Sequence, residues 1–224
     1  MRTKGNYING VWKQSKGEIF DVLSPVTETT IWEGNNSLPK EIDECVDSAE
    51  KALHSWASLS VDERILYLQK FVELVNNNAE TLAEAISIEI GKPLWESKTE
   101  VKAIIGKLEP SIAAYKSRNS DVVKSMASGV ISRTHFKPIG IVAVIGPYNF
   151  PLHMANGHII PALISGNTVI FKPSEKGAMT AELIMDLWDK AGLPNGVINM
   201  IQGDGNIGMR LVAHDKVNGV FFTG

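Results

Sequence analysis

The sequence predicts an α/β protein in which a layer of helices precedes a doubly wound parallel sheet. Three observations carry that expectation. From residue 141 onward, short apolar runs alternate with helix-length segments in the order strand, helix, strand, helix, strand, helix, strand. The runs at 141–145 and 168–171 are continuously apolar, as strands covered on both faces of a parallel sheet are. Residues 37–115 instead place their apolar side chains at helical spacing.

The elements follow in order. Asn9-Gly10, between Tyr7-Ile8 and Val11-Trp12, is the strongest short hairpin signal in the chain. Ser37 and Pro39 open a helix whose apolar positions are 42, 45, 46, 49, 52, 53 and 56. Ser60 and Glu63 form a capping box for a second helix running to Val75. Asn78 can cap a third, which ends at Gly91 with Pro93 barring continuation. A fourth helical pattern spans 94–115. Residues 126–137 alternate apolar and polar side chains imperfectly, as a half-exposed strand would. Such an edge needs a partner, so a homo-oligomer is expected. Helices then follow at 153–164, 179–191 and 206–212, with strands at 197–201 and 219–222. The expected organisation is a hairpin and helical part (1–122), a bridging strand segment (123–140) and a nucleotide-binding core (141–224).

Bulk properties exclude several classes. A length of 224 residues suits one or two domains with a real core, and 44% hydrophobic with 21% charged residues is ordinary for a soluble protein. The net charge of −3, with Lys and Arg scattered, shows no footprint for nucleic acid. The N-terminus lacks the apolar core of a signal peptide, and Gly and Pro interrupt every apolar stretch before membrane-spanning length. One cysteine permits no internal disulfide, which fits a reducing cytoplasm. Cys45 shares an apolar stripe with Ile42, Val46 and Ala49 and reads as packing. His153 and His158, five apart, do not share a helical face, so no metal site is expected. No G-x-S-x-G elbow occurs, which argues against a hydrolase.

Ligands of open α/β sheets bind beyond the carboxyl ends of the strands, and Asn149, Lys172 and Glu175 fall there. An amide donor, a cation and a carboxylate thus converge. Each has a plainer reading. Asn149 could be an N-cap. Lys172 could be a desolvated nucleophile or the partner of Glu175 in a surface ion pair. Gly203-Asp204-Gly205-Asn206-Ile207-Gly208 matches G-x-G-x-x-G, yet it lies at the third strand–helix turn and no acid follows about 20 residues on. A tight turn onto a helix explains it equally.

The strings GPYNFP (146–151), FKPSE (171–175) and FFTG (221–224) resemble the NAD(P)-dependent aldehyde dehydrogenases, and the likeness runs from Tyr7 to the last residue. Within that family, NFPLHMANGH (149–158) with Ile160-Pro161-Ala162-Leu163 is most similar to dehydrogenases of semialdehydes. The resemblance implies a Rossmann-like cofactor domain, an oligomerisation strand segment and a dimer or tetramer in the full-length form. It implies NAD as cofactor. Lys172 and Glu175 would hold the adenosine ribose, and the Glu175 carboxylate would repel the 2′-phosphate of NADP. Ile145, Gly146, Pro147, Tyr148, Ser174, Gly205, Gly208, Phe222, Thr223 and Gly224 match cofactor-lining positions. Asn149 matches the donor to the oxyanion formed when a cysteine attacks the aldehyde. His153, Met154, Asn156 and Gly157 match the helix lining the aldehyde tunnel, which Gly157 would widen, with the His158 imidazole nearby. The catalytic cysteine and glutamate of relatives lie C-terminal to the FTG turn, so the catalytic domain is expected to be absent and the chain inactive alone. Which semialdehyde is the substrate stays open between one dehydrogenase of this group and another, and the alternative from a different class is a non-catalytic nucleotide-binding or interaction module.

Overall fold

The computed structural model describes residues 3–224, the Ser128 side chain excepted. Strands β1 (Asn6–Ile8) and β2 (Val11–Lys13) form the expected hairpin, with Asn9 and Gly10 at φ 54° and 78°. Two positive-φ residues in succession give the turn that matches strand twist. Strands β3 (Ile19–Leu23) and β4 (Thr30–Asn35) pair antiparallel, a ribbon the sequence reading does not register. Burial alternates along it, with Val22, Trp32 and Gly34 inside, but apolar Ile19 and Leu23 are exposed, so the sequence does not write that alternation as polarity.

Helix α1 (Pro39–Ser58) buries Ile42, Cys45, Val46, Ala49, Ala52 and Trp56, the predicted stripe. Helix α2 (Val61–Asn77) begins at the predicted capping box: Glu63 N donates to Ser60 Oγ at 3.2 Å, and Ser60 N to Glu63 Oε2 at 2.7 Å. Helix α3 (Ala79–Ile90) ends on Gly91, held left-handed at φ 79°. Asn78 departs from expectation. Its side chain donates back to Leu74 O at 2.8 Å instead of capping α3.

The single helix expected over 94–115 is two, α4 (Leu94–Ile105) and α5 (Leu108–Arg118). Pro110 has no N–H for the carbonyl four residues earlier, that of Gly106, and its ring would collide with it. The chain therefore breaks at Gly106 and restarts with Pro110 in the first turn of α5. The half-exposed strand expected over 126–137 is also corrected. Strands β5 (Val122–Ser125) and β6 (Ile131–Thr134) make an antiparallel pair that is exposed at every position, because no described element packs over either face.

The remaining elements alternate as predicted: β7 (Ile141–Ile145), α6 (His153–Ile164), β8 (Thr168–Lys172), α7 (Ala178–Ala191), β9 (Ile198–Met200), α8 (Gly205–Val212) and β10 (Val217–Phe222). The main sheet has the order β10-β7-β8-β9-β1-β2. Its first four strands are parallel, while β1 and β2 run antiparallel, so the sheet is mixed and the hairpin extends it. Successive strands step one way from β7 to β9. The chain then returns to the other side of β7, creating a topological switch point between β7 and β10.

Period-two alternation divides the strand side chains between two cores. Val142, Val144, Val169, Phe171, Ile198 and Met200 pack against α2 to α7, where Phe71 and Trp188 stack at 3.5 Å. Ile141, Ala143, Ile170 and Ile201 pack against α1 and α8, with Cys45 among them. Each such apolar side chain contributes about 1.5–3 kcal/mol when fully buried.

The helical layer also supplies polar groups to the sheet layer. Glu89, at the end of α3, accepts from Met179 N at 2.7 Å and Thr180 N at 2.9 Å, capping α7 across 90 residues of sequence. Burial pushes its carboxyl up to about 7 from 4.5, although the amide hydrogen bonds oppose the shift. Folding therefore takes up a proton between these values, so the stability that Glu89 contributes falls as pH rises through that window and is level above it. Denaturation at about pH 5 and about pH 8 is expected to show this decline, with a smaller one in Glu89→Gln. An identical decline in the variant would remove the assignment. Glu89→Ala, which orphans two buried N–H groups, is expected to cost about 1–3 kcal/mol at either pH.

Candidate functional site

The backbone ladder continues past the carboxyl ends of β7, β8 and β10. Gly146 N donates to Lys172 O at 3.0 Å and Thr223 N to Ile145 O at 3.1 Å, which sets residues 146–149, 172–175 and 223–224 side by side at the switch point. Gly146 sits in a tight place: a Cβ there would lie 3.2 Å from Phe171 Cε2 and 3.4 Å from Ala155 Cβ, so a larger residue requires these side chains to shift by a few tenths of an ångström. Pro147 is buried, whereas Tyr148 is exposed with Lys176 Nζ 5.2 Å from its ring centroid.

Asn149 is exposed, and its side chain makes no hydrogen bond to the described residues. It is not the cap of α6. That role is filled from α4: Glu100 Oε1 accepts from Leu152 N at 3.0 Å and His153 N at 3.1 Å. Glu100 Oε2 accepts from Lys92 Nζ at 2.8 Å, and the same ammonium lies 3.6 Å from the Phe150 ring centroid. The Glu100 side chain is fully buried and that of Lys92 nearly so. A buried ion pair thus grips Phe150, Leu152 and His153 immediately after Asn149, leaving its amide free.

Lys172 is buried and lies 3.7 Å from the half-exposed carboxylate of Glu175. Burial lowers the Lys172 ammonium below its ordinary value, against the opposing charges of Glu175 and Asp204. Ser174 steadies the turn by accepting from Lys176 N at 3.3 Å. Gly208 faces the lysine stem, where a Cβ would lie 3.8 Å from Lys172 Cδ, and Gly205 has open space beside it. Phe222 is exposed next to Gly224. The predicted cofactor positions are therefore neighbours in space.

The G-x-G-x-x-G match is resolved by Asp204. Its carboxylate accepts from Asn206 N at 2.9 Å and Ile207 N at 3.3 Å, so the start of α8 already holds an anion. A phosphate there would meet a carboxylate instead of free amides.

On α6 one expectation is overturned. Asn156 is fully buried, donating to Leu152 O at 2.8 Å and accepting from Trp188 Nε1 at 3.1 Å. Both ends of its amide are committed to the core, so it cannot line a tunnel. His153, Met154 and Gly157 are half-buried on this helix. His158 stacks on Phe221 at 5.2 Å, and its Nε2 lies 3.2 Å from Thr223 Oγ1. Burial lowers both imidazoles below their ordinary value. Among the described residues no cluster of three or more His, Cys, Asp or Glu is placed to hold a metal, and no helix is long and apolar enough to cross a membrane. Sequence reasoning missed Glu100, Lys92 and Asp204. Asp204 was within reach, as an Asp just before a helix; Glu100 acts 52 residues away and carries no local signal.

The signature of the aldehyde dehydrogenase family matches residues 12–224. The chain belongs to that family. It is 48% identical over all 224 residues to N-succinylglutamate 5-semialdehyde dehydrogenase of Legionella pneumophila (strain Corby), covering 45% of that protein. The Paraburkholderia xenovorans (strain LB400) protein of the same name is 45% identical over 218 residues, 97% of this chain and 45% of the relative. The chain thus spans less than half the length of these relatives. Among solved structures, an NADP-dependent glyceraldehyde-3-phosphate dehydrogenase from Bacillus halodurans C-125, complexed with NADP, superposes with a TM-score of 0.93 at 27% identity, over 100% of this chain and 48% of that one. An NAD-dependent benzaldehyde dehydrogenase from Corynebacterium glutamicum does so with a TM-score of 0.92 at 27% identity, over 100% and 50%. The aldehyde dehydrogenase fold predicted from the sequence is therefore present, and relatives of similar fold use either cofactor.

Removing one member of the buried pair tests the grip on the Asn149 loop. Glu100→Ala leaves the largely buried Lys92 with only its 4.0 Å contact to Glu96, and is expected to cost about 3 kcal/mol. The Leu152 and His153 amides should exchange with solvent faster than in the parent, read by hydrogen exchange. Unchanged protection of these two amides would show that α6 does not depend on Glu100.

Proposed function

We propose that this chain is the cofactor-binding half of an NAD-dependent aldehyde dehydrogenase that oxidises N-succinylglutamate 5-semialdehyde to N-succinylglutamate, a step of arginine catabolism. The observation that carries the reading is the unengaged Asn149 amide beside the Lys172–Glu175 pair at the switch point. The residues fit a dinucleotide. Gly205 and Gly208 leave room along α8, and a buried ammonium stands next to an accessible carboxylate. Lys172 and Glu175 would hold the adenosine ribose hydroxyls, with Ile145, Gly146, Pro147, Tyr148, Ser174, Phe222, Thr223 and Gly224 shaping the rest of the crevice. NAD would supply the acceptor for the hydride.

Asn149 donates to the aldehyde oxygen as it gains negative charge, a contribution of about 3 kcal/mol to the barrier for one such donor. The nucleophilic cysteine and the general-base glutamate belong to the portion of the relatives' length that this chain does not span. Cys45 cannot replace that nucleophile, because it is fully buried and burial raises its thiol far above the ordinary value. The exposed apolar side chains Val122, Val123, Val130 and Ile131 suit an oligomer interface on β5 and β6.

Three outcomes are expected. The chain alone produces no NADH from the semialdehyde, and steady turnover abolished by Cys45→Ser would refute this. Calorimetry should show tighter binding of NAD than of NADP. Glu175→Ala should weaken NAD and narrow that difference; equal affinities in the parent would remove Glu175 as the discriminating group.

A further inference from the structure

Lys107 stands between α4 and α5 and is half-buried. It has no ion-pair partner among the described residues, and the neighbouring Glu100 is already taken by Lys92 and two backbone amides. A half-buried lysine packs its stem while its ammonium stays in water, so this charge is open to an anion that approaches α6.

Its surroundings have the form of a subsite. The Lys107 stem lies over Gly157, where a Cβ would be 4.0 Å from Lys107 Cε and would meet nothing else. Gly157 is one turn beyond His153 on the same face of α6, about 6 Å further along the axis. His153 Nδ1 is buried without a hydrogen-bond partner. Burial, opposed by Glu100 and reinforced by Lys107 and Lys92, holds that imidazole below its ordinary value; burial and then Lys107 do the same for His158. Both rings thus sense the same ammonium. Near neutral pH they are uncharged and able to donate, so the lysine is the charge and the imidazole a directional partner.

We propose that Lys107, with His153 and the gap above Gly157, binds a carboxylate of the substrate at the end remote from Asn149. The geometry stands independently, but naming the ligand as a carboxylate-bearing semialdehyde rests on the functional reading above. Asn149 lies in the loop four residues before His153, where α6 begins, and Gly157 lies four residues after it, so the proposed carboxylate end lies along α6 from the loop that carries Asn149. Lys107 acts here as a specificity-determining residue and takes no part in the chemistry.

The test uses the 224-residue chain and two stable probes, N-succinylglutamate and the short dicarboxylate glutarate. Binding and the imidazole titrations of His153 and His158 are followed by NMR. Without probe, Lys107→Met should raise both imidazole midpoints, because a like charge has been removed. With probe, both midpoints should rise in the parent and not in Lys107→Met, which should bind about tenfold more weakly, while Lys107→Arg retains binding. Gly157→Leu, which fills the gap with the charge intact, should also lose the probe. Lys107-dependent binding of glutarate without binding of N-succinylglutamate would uphold the subsite and defeat the semialdehyde reading. Equal affinity of the parent and Lys107→Met for both probes, or unmoved imidazole midpoints, would overturn the subsite whatever the enzyme's substrate.

Discussion

Helix N-termini need hydrogen-bond acceptors, and in this fold carboxyl side chains supply them at all three N-termini that face the crevice. Glu100 closes α6, Glu89 closes α7 and Asp204 closes α8. An open α/β sheet ordinarily offers such an end to a phosphate, since free amides and the helix dipole favour negative charge. Here a protein carboxyl group already occupies each. In the proposed reading a dinucleotide in this crevice would be held through its ribose and by side chains, with the buried Lys172 and accessible Glu175 carrying more of the grip than the glycine-rich turn. The same arrangement explains why the N-terminal helices are inseparable from the sheet. Two of the three caps come from α3 and α4, so the helical layer sets where α6 and α7 begin.

The sequence was legible where the deciding interaction is local. The Asn9-Gly10 turn, the Ser60–Glu63 box, the Gly91 stop and the strand–helix alternation after residue 141 all depend on residues within one turn or one strand of each other. Errors arose where a neighbour distant in sequence decides. Asn149 and Asn156 lie seven residues apart and both looked functional. One is freed because Glu100 does the capping, and the other is consumed by Trp188. Pro110 was visible and its effect on the carbonyl of Gly106 could have been foreseen. The β3–β4 ribbon could not, because apolar Ile19 and Leu23 lie on its exposed face, so polarity does not follow the alternation in burial.

The N-terminal hairpin shows a related limit. Its turn was evident, but not its attachment to the main sheet through Tyr7 opposite Met200. Asn6 secures that join by accepting from Gln202 N at 2.8 Å and Ser37 Oγ at 3.0 Å. The first strand is thus fixed by residues nearly two hundred positions later. Its pairing with β9 closes a loop of nearly two hundred residues, an entropic cost that local hairpin contacts do not carry.

Cys45 has no part in the proposed chemistry, yet its position makes it informative. The sulfur lies between α1 and the sheet, in the core that α8 completes, with no exposed surface. A thiol reagent can reach it only when that core opens. Because it is the sole thiol in the chain, its labelling rate reports a single event, the separation of α1 from the sheet. The native chain therefore carries its own integrity probe. A cysteine introduced on the surface could be labelled first, with the buried one left as an internal clock for unfolding.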